Sequence, residues 1–296
     1  MFPKVPDQHK VGRPLVPNGL GVLFILTTTV YLFSIYFLNR IFVLGFDTSV
    51  NGVSAALTLA VCILFGGFMG LLDDFMDLKW RYKAFMPLIA ALPLMYYAFE
   101  GLQTGAIRTS ISLPFLGTLH FGAYYVFLIV PFIVMIVTNT VNQLGGLNGL
   151  ETVCPAIVII GLMAFSPSYT LMIGPLFFWL ILAYFNLRGK IFVGNAGSFA
   201  IGITIASFAV ISDLKVDLLI SLLPYIFNSA IILLAVFFTH KRAGVKFDGA
   251  KLSSDARKSL VTVITYHRPM TERRVVIIIA AIVALFTLIG AVIQFL

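Results

Sequence analysis

Two adjacent carboxylates, Asp73 and Asp74, close a long apolar run, and three basic residues follow: Lys79, Arg81 and Lys83. Paired carboxylates at a helix end repel each other unless a cation or a basic residue lies between them. Such a pair can hold Mg²⁺ indirectly, or one member can act as a base. Three more polar stretches break the hydrophobic sequence. Asn139–Glu151 reads NTVNQLGGLNGLE. The amides of Asn139, Asn142 and Asn148 suit a base edge or a metal, and Gly145, Gly146 and Gly149 allow a ligand close to the backbone. Asn186–Ser198 reads NLRGKIFVGNAGS. There Arg188 and Lys190 can meet phosphate, and Phe192 can stack on a base or anchor at the interface. Asn195 lies between Gly194 and Gly197 just before a helix, where small residues and a helix N-terminus make an anion site. The stretch His240–Arg274 holds nine basic residues and three acidic ones, Asp248, Asp255 and Glu272. Its Tyr266-His267-Arg268-Pro269 places an imidazole beside a guanidinium that can grip a diphosphate bidentately. Taken singly, each stretch also reads as a solvated or topogenic loop.

Apolar runs must position these stretches. The chain is 60% hydrophobic and 11% charged, whereas a soluble domain carries roughly 25% charged residues. Its mean hydropathy is +1.02. Runs of this length in lipid are helices, because their backbone must satisfy its own hydrogen bonds. The expected fold is an all-α polytopic membrane bundle, one integral-membrane domain over 1–296 with 240–274 as its long loop. Nine spans are expected, near 19–39, 50–72, 84–99, 122–139, 151–166, 169–186, 198–212, 217–239 and 275–296. The third and seventh are short for a bilayer, as suits a site cut into one half of it. Residues 1–18 show no signal-peptide pattern. Residues 100–121 alternate around Pro114 and Gly117 and predict a small hairpin. Cys62 and Cys154 lie within apolar runs and read as core residues.

The basic residues set the orientation. Seventeen of the twenty lie in 1–18, 73–83, 187–197 and 240–274, and only Arg40, Arg108 and Lys215 fall on the opposite side. The positive-inside rule places the polar stretches in the cytoplasm. The net charge of +8 then reflects topology and attraction to anionic lipids or phosphorylated substrates, with no nucleic-acid partner. No span carries an acidic residue at its middle and no repeat is evident, which argues against a transporter.

In this order the four stretches resemble the polyprenyl-phosphate N-acetylhexosamine-1-phosphate transferase family, of glycosyltransferase family 4 type. The nearest branch is that of the eukaryotic and archaeal UDP-N-acetylglucosamine–dolichyl-phosphate N-acetylglucosamine-1-phosphate transferases. LLDD at 71–74 with Arg81 and Lys83, NQLGGLNGLE at 142–151, FVGNAGS at 192–198 and YHRP at 266–269 carry the resemblance. It implies transfer of a sugar 1-phosphate from a UDP-sugar to a polyprenyl or dolichyl phosphate, with UMP released and Mg²⁺ (or Mn²⁺) required. It implies a multi-pass integral membrane enzyme, in the cell membrane if the source is prokaryotic, with its site facing the cytoplasm, and dimers are known in the family. By motif position Asn142 is a metal ligand, with Asn195 at a second metal position. Asn148 and Phe192 hold uracil, and Gly146 lies close to the nucleotide. Asp73, Asp74 and Lys83 lie where lipid phosphate meets diphosphate, while His267 and Arg268 contact the diphosphate; Arg188 is a further phosphate contact. Three departures stand out. Asn195 occupies a position that is usually aspartate, nine spans replace ten, and Pro17-Asn18 replaces a loop ending near a glutamate. The alternative is a homologue that binds the UDP-sugar or polyprenyl phosphate without turnover.

Overall fold

The computed structural model describes residues 2–113, 117–240 and 244–293. Pro114 of the expected hairpin, residues 241–243 of the long loop and residues 294–296 of the last span lie outside the described residues.

Every expected apolar run is helical. In order these are α1 (Gly21–Phe42), α2 (Ala55–Met76), α3 (Trp80–Ala90), α4 (Leu92–Thr104), α5 (Val130–Gln143) and α6 (Leu150–Ala164). They continue with α7 (Thr170–Leu187), α8 (Gly194–Ile211), α9 (Lys215–Ser221), α10 (Leu223–Thr239), the short α11 (Leu260–Ile264) and α12 (Glu272–Ile293). Among the described residues seven helical segments are long and apolar enough to cross a bilayer, with α3 and α4 counting as one of 25 residues. The pair α9–α10 makes an eighth, bent by 53°. Pro224 lies in the first turn of α10, where a missing N–H costs nothing but the preceding helix cannot run straight through. Of the nine expected spans the short one is the fifth, α6, of 15 residues, whereas the third lies in a segment of 25 residues and the seventh in a helix of 18. Hydropathy marks only the apolar part of a helix. The segment Trp80–Thr104 starts in the polar Trp80–Lys83, and α8 starts in the polar Gly194–Asn195.

The core sits around α8. Every residue of it from Ala196 to Ile211 is buried, so it is apolar on all sides, as a helix surrounded by others must be. Helices α1, α2 and α5 pack against it. Glycine sets the α2–α8 distance: a Cβ on Gly70 would lie 2.2 Å from the Asn195 carbonyl oxygen.

The segments that the charge distribution groups on one side meet at one end of this bundle. The hairpin of β1 (Lys4–Pro6) and β2 (Leu15–Pro17) docks there, with Phe192 N–H donating to the Pro17 carbonyl at 2.8 Å. The long loop folds as well. Its β5 (Lys246–Phe247) pairs with β6 (Leu252–Ser253), and the side chains of Ser259 and Thr262 cap α11 reciprocally. Asn228 of α10 ties it down, accepting from Leu260 N–H at 2.8 Å and donating to the Gln143 carbonyl at 3.2 Å. At the opposite end the expected hairpin forms from β3 (Ser110–Leu113) and β4 (Gly117–His120). Beside it Arg108 and Lys215 share Asp213. The cysteines are free and buried.

Candidate active site

The carboxylate pair divides its work. Asp73 is 3% exposed. Its Oδ1 accepts from Lys83 Nζ at 2.8 Å and from the Leu78 N–H at 3.0 Å. Burying a lone carboxylate costs several kcal/mol, and a close ammonium offsets much of this. Lys83, which also reaches Asp77 at 3.6 Å, is thus the cation that the sequence requires beside the pair. The other oxygen of Asp73, Oδ2, is buried with no hydrogen-bond partner among the described residues.

Asp74 instead accepts the N–H groups of Asn195 at 2.9 Å and Ala196 at 3.0 Å. These are free donors of the first turn of α8, whose preceding residue, Val193, offers no side-chain cap. A carboxylate at this positive helix end is favourable. Asp74 thereby holds the backbone at which Asn195 stands. Gly194 has φ +71°, and a Cβ there would lie 2.7 Å from Asp74 Oδ2, so both conformation and space call for glycine.

The two amides of the sequence reading come together. Asn142, near the end of α5, donates through Nδ2 to Asn195 Oδ1 at 3.4 Å. Among the described residues no three His, Cys, Asp or Glu side chains converge. The side chains that meet here offer amide oxygens, hard donors suited to a cation such as Mg²⁺ and unsuited to a soft one. Asn139 has a different role: its Nδ2 donates to the Ala84 carbonyl at 3.0 Å and joins α3 to α5.

A cavity of about 320 Å³ opens beside this cluster, lined by Asp7, His9, Gly146, Asn148, Glu151 and Phe192 among others. The sequence-predicted uracil residues thus share one wall. Gly146 has φ +98°, and a Cβ on it would meet nothing within 4 Å, so this wall faces open space. The Asn148 amide is held from two sides. Its Nδ2 donates to Asp7 Oδ2 at 2.8 Å and to Glu272 Oε1 at 3.1 Å, and its backbone N–H donates to the same Glu272 oxygen at 2.8 Å. Sequence reasoning missed Asp7, Glu272 as a partner, and Asn186. Asn186 accepts from Gly149 N–H at 2.8 Å and donates to the Ile191 carbonyl at 2.9 Å, latching two motifs together. The available signal was an acid in each of two segments that had to reach one end of the bundle.

Other predicted residues lie apart from that cavity. The Arg188 guanidinium sits 4.1 Å from the centre of the Tyr184 ring. His267, at φ +48°, packs its ring against Tyr266. Arg268 lines a second cavity together with Arg257 and Tyr266.

Fold and site together define an integral membrane transferase: the chain belongs to glycosyl transferase family 4, whose model matches residues 55–213. Among relatives, a protein of Saccharolobus solfataricus is 27% identical over 97% of this chain and 87% of its own length. It is provisionally named a UDP-N-acetylglucosamine–dolichyl-phosphate N-acetylglucosaminephosphotransferase. The Dictyostelium discoideum enzyme of that name is 27% identical over 75% of this chain and 62% of its own length. A phospho-N-acetylmuramoyl-pentapeptide-transferase of Clostridium perfringens is also 27% identical, over 78% of this chain and 72% of its own length.

Proposed function

We propose that this chain transfers N-acetylglucosamine 1-phosphate from UDP-N-acetylglucosamine to dolichyl phosphate or a similar polyprenyl phosphate, releasing UMP. This is the first step of lipid-linked glycan assembly, as in protein N-glycosylation. The carrying observation is the meeting of the Asp73–Lys83 pair, the Asn142–Asn195 amides and the Asn148–Phe192 cavity at one end of the bundle. The names of the relatives support the donor and acceptor. The distribution of lysine and arginine supports a cytoplasmic site.

In the reaction an oxygen of the lipid phosphate attacks the β-phosphorus of the UDP-sugar. The bond from that phosphorus to the bridging oxygen breaks, and UMP leaves with the oxygen. The lipid phosphate is already a nucleophile, so positioning and charge neutralisation dominate. Mg²⁺, held by Asn142 and Asn195, would neutralise charge on the diphosphate. Lys83 stabilises phosphate charge, and Asp73 holds Lys83 in place. Asp74 sets Asn195 through the end of α8. Asn148 and Phe192 seat uracil, and Gly146 leaves it room.

The test is UMP release by the purified chain given UDP-N-acetylglucosamine, dolichyl phosphate and Mg²⁺. Release that requires lipid and is stopped by EDTA is expected. Binding of the UDP-sugar with no UMP formed would overturn the reading in favour of a non-catalytic homologue. A second expectation concerns the metal. With two neutral amides, Asn195→Asp should lower the Mg²⁺ concentration for half-maximal activity by roughly tenfold, because added ligand charge tightens hard-cation sites. A large loss of activity instead would show that the amide has its own role.

A further inference from the structure

The Asn148 amide stands between two acids that arrive from opposite ends of the chain. Asp7 is 2% exposed and is fixed within its hairpin. Its N–H donates to the Pro14 carbonyl at 3.0 Å, its Oδ1 accepts from the His9 N–H at 3.1 Å, and Lys10 Nζ lies 3.6 Å from its Oδ2. That Oδ2 is the atom that accepts from Asn148 Nδ2 at 2.8 Å. Glu272 opens α12 and forms no ion pair among the described residues. Its Oε1 accepts twice from Asn148, from the backbone N–H at 2.8 Å and from Nδ2 at 3.1 Å.

The framework behind these bonds is packed. Helix α12 lies on α6, and a Cβ placed on Gly149 would be 3.6 Å from Val276 Cγ1. The Gly149 N–H is taken by Asn186 at 2.8 Å. The backbone at 148–149 is thus pinned, and the side-chain nitrogen of Asn148 spends its two hydrogens on two carboxylate oxygens. The two ends of an amide are nearly alike in shape, so packing alone leaves it free to turn over; paired acceptors remove that freedom. An aspartate at this position would have the same shape but no donor. It would also set a third carboxylate against Asp7 and Glu272, where like charges disfavour one another.

We propose that Asp7 and Glu272 are positioning residues of the nucleotide cavity, which act through the two side-chain hydrogens of Asn148 to hold its amide in one orientation on the cavity wall. The proposal rests on the transferase reading, in which Asn148 seats uracil. Neither acid need touch the nucleotide for this role. Asp7 makes the docked hairpin part of the base site, and Glu272 makes the start of α12 part of it.

The experiment is calorimetric titration of the purified full chain with UMP, which carries the uracil and lacks the sugar and its phosphate. Glu272→Ala should raise the Kd about tenfold, the value of a hydrogen bond to a charged acceptor. Glu272→Gln should stay within about threefold of the parent, because its carbonyl oxygen can accept from the same two N–H groups. Asn148→Asp should raise the Kd about a hundredfold, through lost bonds and repulsion together. Adding Glu272→Gln to Asn148→Asp should recover about tenfold, since the introduced amide can donate to the introduced carboxylate. A merely structural role for Glu272 would give no such rescue. Asn148→Ala supplies a second route should the aspartate variant fail to fold. In that background Glu272→Ala should cost only about twofold more, because the backbone N–H is the one bond left for it to hold. A parental Kd in Glu272→Ala, no rescue of Asn148→Asp, or a full tenfold loss in the Asn148→Ala background overturns the proposal and leaves the transferase reading in place. A parent chain that binds no UMP overturns both.

Discussion

Replacing Lys83 by alanine will lower UMP release by about a thousandfold while UDP-N-acetylglucosamine still binds. Asp73 is almost fully buried, and Lys83 is its only cation within ion-pair distance among the described residues. Removing one partner of such a pair leaves an uncompensated charge and costs about 3–5 kcal/mol. At 1.36 kcal/mol for each factor of ten, that is two to three orders of magnitude or more if the cost falls on the reacting geometry. The loss of the ammonium's own attraction for phosphate adds to it. Asp73→Asn should cut turnover comparably for a different reason. Lys83 then loses its anchor, and the buried, unpartnered Oδ2 loses its charge. Single-turnover rates should fall in both variants, with the Kd for the nucleotide sugar within a few-fold of the parent, because Asn148 and Phe192 are untouched. Near-parental UMP release in both would remove this pair from the mechanism.

Gly70→Ala will disable the enzyme from a buried position on α2 that faces the backbone of α8. The added Cβ would lie 2.2 Å from the Asn195 carbonyl oxygen, 2.6 Å from its carbonyl carbon and 2.7 Å from the Ala196 Cα. All three are backbone atoms of the first turn of α8, so no side chain can swing aside. Helices α2 and α8 must separate, which draws the Asn195 and Ala196 N–H groups away from Asp74 and moves the Asn195 amide from Asn142. Overpacking of this kind costs about 1–3 kcal/mol, so the melting temperature should drop by a few degrees. Turnover should fall further than stability does, since a displacement of about 1 Å in a positioned site can cost a hundredfold. A parental melting temperature together with parental turnover would show that the α2–α8 crossing is looser than the packing indicates.

Much of this was legible in the chain itself. Length and hydropathy located the apolar helices of the described residues, though nine spans were expected and seven or eight helical segments are long and apolar enough to cross a bilayer, because lipid leaves a spanning backbone few alternatives. The boundaries were less legible where a helix begins in polar residues. Nothing local announces that Gly194-Asn195 starts a helix, since the cap comes from Asp74, 121 positions away. The same limit applies to the site. Residue type showed that Asp73, Asp74 and Lys83 belong together, but not that one carboxylate pairs with the lysine and the other caps a helix. Asn148 stood out as a ligand-facing amide, yet its partners Asp7 and Glu272 lie at opposite ends of the sequence. The wall that Asp7 and His9 give the cavity comes from a hairpin whose sequence, read locally, is only a polar and proline-rich leader. Arg188 and Arg268 show the converse. A basic residue in the right motif advertises phosphate, but the ring that a guanidinium lies over and the cavity that it lines depend on neighbours far along the chain.

By itself the sequence determined that this protein is a membrane helical bundle with its chemistry gathered at one end, because hydrophobicity, charge bias and motif chemistry are properties of residue type and order. Only the tertiary structure decided which oxygen is left without a hydrogen-bond partner, which carboxylate supports a helix and which amides meet. Those properties depend on distances of about 3 Å between helices far apart in the chain, and such distances are set by packing.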